Sequence, residues 1–294
     1  MKKNNEFVNE DTYQTLKEFR VDPPSQDLAV KPLWKNKPKT KPKKDYSIFV
    51  ATPVHSDVSL HYTQALLEFQ KYANEQGVET HFQLMKSSLV TQGRNLCVSS
   101  FLESDQTHLL FIDSDIWFHS PSILRMVEKD KDIISIPYPL KTMMWEKLFQ
   151  KIQDGVNIQK PYDLKKYLNT YPMRVENPKS IIMDNGVIEV THSPTGCMLI
   201  KREVFEKMIK AYPDKSIVQK TVINGKYVDR PNMWNFFDTL HDPVEKVYLG
   251  EDFAFCKLWK DLGGKCYALV DAPIVHVGDH TYEGRFSDEL ISKQ

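Results

Sequence analysis

Two aspartates one residue apart, Asp113-Ser114-Asp115, follow the apolar run Leu109-Leu110-Phe111-Ile112. Such a run reads as a buried strand, so the carboxylates stand where it emerges from the core. Strand residues i and i+2 share a face, and two unpaired carboxylates there are disfavoured by desolvation and mutual repulsion. A divalent cation relieves both costs, and Mg²⁺ or Mn²⁺ held by carboxylates commonly takes phosphate oxygens as further ligands. An Asp-x-Asp also arises by chance in surface turns; the preceding apolar run is what favours a metal site. His276, within Ile274-Val275-His276-Val277-Gly278, is by itself more often a core histidine. Beside carboxylates, however, a neutral imidazole completes a metal set, here Asp113, Asp115 and His276. Gly250-Glu251-Asp252 opens an aromatic, helical-looking segment. Acids there suit the helix dipole, but Asp252 is also a candidate general base for an attacking hydroxyl, with Glu251 orienting the acceptor or substrate.

The elements that must position these groups alternate. DYSIFVATPV (45–54) reads as a strand, VSLHYTQALLEFQKYANEQG (58–77) as a helix closed by Gly77, ETHFQLM (79–85) as a strand and GRNLCVSSFLES (93–104) as a helix. THLLFIDSDIWF (107–118) reads as one strand interrupted by the two carboxylates, with Ser120-Pro121 as N-cap and first-turn proline of the next helix. DIISIPYPL (132–140) is a further strand. This order predicts a mostly parallel sheet with its ligand site at the carboxyl ends of the strands. HSPTGCMLIKREVFEKMIKAY (192–212) is a strand entering an amphipathic helix, and GEDFAFCKLWKDLGG (250–264) is a helix followed by strands over 265–273 and 274–278.

Residues 1–44 differ from the rest, with a lysine- and proline-rich run, KPLWKNKPKTKPKK, over 31–44. They read as an extended, solvated arm in which Lys31 to Lys44 offers a peripheral membrane or polyanion contact. Residues 45–294 read as one domain, and the polar, irregular stretch 141–190 as an insertion or lid. Lysine plus arginine and aspartate plus glutamate each total 39, which argues against a nucleic-acid binder with a broad cationic surface. The four cysteines form no CxxC pair and are expected as buried free thiols. No signal-peptide core or membrane-length apolar run is present, so a soluble chain in the cytoplasm (the host's, were it viral) is expected.

In order and spacing, these features resemble the GT-A glycosyltransferases, in particular the bacterial and viral family-2-like group. The likeness runs over about 46–286. It rests on Ala51-Thr52-Pro53-Val54, Arg94-Asn95, His108 to Asp115, Tyr138-Pro139-Leu140-Lys141 and Thr195 to Arg202. Further along it rests on Glu251-Asp252 with Phe255-Cys256 and Trp259, then Gly263-Gly264 and His276-Val277-Gly278.

The resemblance implies an α/β, GT-A (Rossmann-like) nucleotide-diphospho-sugar transferase fold with a central, mostly parallel mixed sheet flanked by helices. It implies that Thr52 and Pro53 border the nucleotide, that Arg94 and Asn95 support base or phosphate recognition, and that Asp113 faces ribose or metal. Asp115 and His276 bind the metal, Gly196 shapes the acceptor side, and Glu251-Asp252 supplies the base. The expected reaction moves a sugar from a UDP- or GDP-sugar to a hydroxyl of a glycan, lipid-linked or protein acceptor, with inversion and with Mn²⁺ or Mg²⁺. Two alternatives stand beside it. A nucleotidyltransferase wants a glycine-rich, basic phosphate loop after the first strand, which ATPVHSDVS is not; an inactive glycan-binding protein would not need the acidic and histidine set. Lys141 within reach of phosphate, and Trp145, Trp234, Phe236 and Phe237 as sugar-stacking or core aromatics, complete the candidates.

Overall fold

Strand residues alternate between two faces, and in this chain both faces are buried. Ile48 and Val50 of the first strand join one apolar cluster while Phe49 and Ala51 join another, and Leu110 and Ile112 likewise part from Leu109 and Phe111. A sheet apolar on both sides must be covered on both sides, which is the doubly wound solution.

The computed structural model describes residues 41–156, 161–223, 226–244, 246–278 and 281–291. The chain begins with β1 (Ser47–Val54), α1 (Leu60–Glu75), β2 (Glu79–Lys86), α2 (Val90–Leu102), β3 (His108–Ile112) and β4 (Ile116–Phe118). It continues with α3 (Ser120–Glu128), β5 (Ile133–Ser135), α4 (Trp145–Gln153), α5 (Pro161–Leu168), β6 (Val187–Val190), β7 (Cys197–Lys201) and α6 (Arg202–Ala211). Two hairpins follow, β8 (Gln219–Ile223) with β9 (Lys226–Arg230), and β10 (Leu240–Asp242) with β11 (Val247–Leu249). The last elements are α7 (Glu251–Asp261), β12 (Cys266–Leu269), β13 (Ile274–Val277), β14 (Thr281–Gly284) and α8 (Phe286–Ile291).

The central sheet runs β2-β1-β3-β7-β5-β12-β6. β2, β1, β3, β5 and β12 point one way, while β7 and the edge strand β6 run against their neighbours. This is the expected α/β architecture, with a mixed sheet in which five strands share a direction. On one face lie α2, α6 and α7 through Cys97, Phe101, Phe205 and Phe255. On the other lie α1 and α3 through Tyr62, Ala65, Phe69 and Ile123. α1 forms because these apolar residues recur at helical spacing and because Ser59 caps it, its Oγ accepting from the Tyr62 amide at 3.0 Å. All four cysteines are buried and free, as expected.

Four local readings change. The run 107–118 is not one strand: β3 ends at Ile112, the two carboxylates occupy a turn, and β4 leaves for a separate sheet, β14-β13-β4. β5 stops at Ser135 because Pro137 and Pro139 carry no amide hydrogen to extend a ladder. The cap before α3 is His119, and Ser120 is already helical. Within 141–190, Val187–Val190 is not peripheral but the edge strand of the central sheet, paired with β12.

The arm over 1–44 lies outside the described residues except for its end. There the Lys41 and Lys44 amides donate to Glu75 and Gly77 at the end of α1, and Lys43 pairs with Glu79 at 2.7 Å. Among the described residues no helix is long and apolar enough to cross a membrane.

Candidate functional site

The turn after β3 is fixed by backbone bonds from three directions. Asp113 N donates to Gly196 O at 3.0 Å, Ser59 N to Ser114 O at 2.8 Å, and Val277 N to Asp115 O at 2.8 Å. The last of these continues the pairing of β4 with β13, in which His276 stands opposite Ile116. A short sheet thus carries a histidine 161 positions away to the second aspartate, His276 Nε2 lying 3.3 Å from Asp115 Oδ2.

His276 is oriented by its other nitrogen. Nδ1 lies 2.9 Å from the Pro139 carbonyl; a carbonyl only accepts, so Nδ1 carries the proton and Nε2 turns its lone pair to Asp115. A lone pair and a carboxylate at that distance repel unless a cation or a second proton lies between them. Lys141 already supplies one cation, its Nζ 2.5 Å from the same Asp115 oxygen. Burial pulls the Asp115 carboxyl up, yet His276 and Lys141 beside it outweigh that and hold the group below its ordinary value.

Asp113 is engaged differently. Its Oδ1 receives Arg94 Nη2 at 3.0 Å, and Arg94 Nε reaches Glu251 Oε1 at 3.2 Å. Arg94 is only 3% exposed. Burial alone would lower its pKa, but Asp113 and Glu251 overcome that and raise it. Nη1 of Arg94 is buried without a protein partner. Thus Asp115 and His276 come together, Asp113 is tied to Arg94, and among the described residues no three His, Cys, Asp or Glu side chains converge as a metal cage.

Asp252 opens α7 beside this cluster. Burial first, then the neighbouring Glu251, pushes its carboxyl up to about 6, against a bond from the Phe253 amide at 2.7 Å and the Arg94 charge. Tyr138, whose ring edge meets His276 at a centroid distance of 4.9 Å, feels Asp113, Asp252 and Asp115 and is raised, chiefly by burial. A Cβ on Gly196 would overlap the Tyr138 ring and stand 2.9 Å from Asp113 Oδ2, so only glycine fits between them.

A cavity of about 490 Å³ opens at the carboxyl ends of β1 and β3, lined by Pro53, His55, Ser87, Leu89, Arg94, Asp113 and Asp115 among others. Thr52 and Asn95 do not line it. Thr52 is fully buried against the Tyr62 hydroxyl at 2.7 Å, while Asn95 staples the 235–237 loop through Asn235 and both backbone groups of Phe237. Phe236 and Phe237 are core, Trp234 stacks on Phe236, and Trp145 is exposed. His55, Ser87 and Leu89 carried no signal in their types, although Gly93, whose Cβ would press on Pro53 and Ser87, marks the close approach of α2 to this wall. A second cavity, about 360 Å³ at the β6 edge, contains none of the candidate residues.

No protein-family model matches the chain, and no curated protein does. Among solved structures it is similar to A197 from STIV, at 18% identity over 79% of this chain and 86% of that one, with a TM-score of 0.45. It is also similar to a glycosyltransferase involved in glycosylation of the major capsid of PBCV-1, at 12% identity over 58% and 68%, with a TM-score of 0.27. A Bacillus anthracis structure assigned as a glucose-1-phosphate thymidylyltransferase matches at 12% identity over 55% and 74%, with a TM-score of 0.25. All three scores are too low to bear on function.

Proposed function

We propose that the chain is a metal-dependent glycosyltransferase of GT-A type, moving a sugar from a nucleoside-diphosphate donor to a hydroxyl acceptor. The observation that carries this is the Asp115–His276 pair, two acceptors 3.3 Å apart with the imidazole locked by Pro139, beside a cavity at the carboxyl ends of β1 and β3. A divalent ion such as Mn²⁺ or Mg²⁺ fits this donor set, with Asp115 and His276 as protein ligands and room left for phosphate oxygens. Such an ion, when bound, offsets the negative charge that builds on a departing diphosphate.

The chain's own groups divide the remaining work. Arg94 fixes Asp113 and Glu251 in place and keeps its buried Nη1 for the donor. Lys141, paired with Asp115 at 2.5 Å, would be free to meet phosphate were Asp115 to hold an ion. Asp252, held near neutrality, takes the proton of the acceptor hydroxyl as the acceptor oxygen bonds to the sugar's anomeric carbon and the bond to phosphate breaks. That single displacement inverts the anomeric centre.

The test is to incubate the protein with UDP- and GDP-sugars and Mn²⁺ and follow the released product. Release of nucleoside diphosphate is expected, falling on the order of a hundredfold or more in Asp115→Ala. Release of pyrophosphate from a nucleoside triphosphate and a sugar phosphate would instead identify a nucleotidyltransferase, and a fully active Asp115→Ala would remove the site.

A further inference from the structure

The small sheet that brings His276 to Asp115 has a second face. β4, β13 and β14 pair so that Trp117, Val275 and Glu283 stand in one rung across the three strands. Successive strand residues alternate, so Ile116 and His276 in the next rung point the other way, to the core and to Asp115. Over Trp117 and Val275 opens a cavity of about 500 Å³, walled by Asn169, Glu283, Arg285 and Asp288. Small-molecule sites span about 300–1,000 Å³. Among the described residues, the side chains of Glu283, Arg285 and Asp288 make no hydrogen bond or ion pair, and the Trp117 indole N–H has no acceptor. Asn169, only 6% exposed, is locked by a 2.8 Å bond from Nδ2 to Glu283 O, and its Oδ1 is left without a protein partner. Lys165 and Lys166 also border the cavity but are engaged, Lys166 over the Tyr167 ring.

We propose that this cavity binds a neutral pyranose unit of a glycan, its C–H face on Trp117 and its hydroxyls shared among Glu283, Asp288, Arg285 and Asn169. A pyranose joins an apolar face to a rim of hydroxyls that both donate and accept. An aromatic floor inside a rim of carboxylates, a guanidinium and an amide is its complement. An anion would meet Glu283 and Asp288, and a cation would meet Arg285 with two lysines beside it. The mixed wall therefore selects against net charge in either sense. The cavity at the β6 edge has mixed charges too, but no aromatic side chain lines it among the described residues. Because the Trp117 cavity lies across the sheet from His276, a sugar held there leaves the donor cavity open. On the transferase reading, on which this last step rests, that sugar is a non-reacting unit of an oligosaccharide acceptor.

The experiment is isothermal titration of the full chain with four neutral trisaccharides: cellotriose, mannotriose, xylotriose and N-acetylated chitotriose. Binding of at least one in the millimolar range or tighter is expected, weakened about tenfold in Trp117→Ala and several-fold in Glu283→Gln. Glu283 is exposed, so its variant reports on the sugar even where Trp117→Ala loosens the sheet and lowers the melting temperature. Asp115→Ala should bind the trisaccharide as the native chain does, so a failure of the transferase reading leaves this result untouched. Absence of binding by all four overturns the proposal, as does binding that Glu283→Gln leaves unchanged. So does competition by UDP with Mn²⁺, which would put the sugar in the donor cavity, or tighter binding of the anionic trigalacturonate than of any neutral trisaccharide.

Discussion

At the scale of single residues, the site is arranged around carboxylates kept in different states by their surroundings. Asp115 is held charged by its Lys141 and His276 neighbours, Asp113 is paired with a buried guanidinium, and Asp252 is left without a cation of its own. The last has a thermodynamic signature. A folded-state carboxyl raised from 3.8 to about 6 binds its proton more tightly than the unfolded chain does, so stability falls as pH rises between those values. At pH 7 the full penalty is present, and below about pH 4 it vanishes. Asp252→Asn, which removes the charge and keeps the shape, is therefore expected to stabilise the metal-free protein by about 1–3 kcal/mol at pH 7. The gain should shrink to nothing near pH 4 in urea unfolding, and transfer should be lost. A variant less stable at pH 7, or equally stabilised at both, would show that Asp252 is not the buried, unpaired acid.

At the scale of elements, the site depends on turns more than on strands. Gly196, before β7, accepts the Asp113 amide through its carbonyl and leaves no room for a side chain between Tyr138 and Asp113. Gly196→Ala must displace one of them, costing about 1–3 kcal/mol of stability and, by shifting a side chain of the proposed site, on the order of a hundredfold in turnover. Melting temperature and kcat measured together separate this from simple unfolding; native turnover in the variant would show that the turn is not what aims Asp113.

The same turns mark where the sequence was legible. Helical spacing in α1 and apolar strands in β1 and β3 were plain because each buries a continuous face. The split of β3 from β4 was hidden because apolar residues resume directly after the three-residue polar turn, at Ile116-Trp117-Phe118. β6 escaped because four residues, Val187–Val190, carry little periodicity. The Arg94–Glu251 bond spans 157 positions, and nothing local in either residue announces it.

At the scale of the whole molecule, the Asp115–His276 contact joins the first half of the chain to its C-terminal strands through one small sheet. A ligand that binds both residues should therefore raise the stability of the entire domain, because whatever binds only the folded state stabilises it by mass action. A nucleoside diphosphate alone has the cavity and Arg94 Nη1 to recognise; Mn²⁺ alone must displace Lys141 with only two protein ligands in return. Together each supplies what the other lacks, since phosphate oxygens complete the ion's shell and the ion neutralises the phosphates. The melting temperature with both present should thus exceed the sum of the separate shifts, by roughly 5 °C when the ternary species is formed at about a hundred times its Kd. Asp115→Ala and His276→Ala should each abolish the surplus while retaining the shift from nucleotide alone. A surplus that survives both substitutions would place the ion elsewhere, and the pairing of these two side chains would then be merely a strand-to-turn contact.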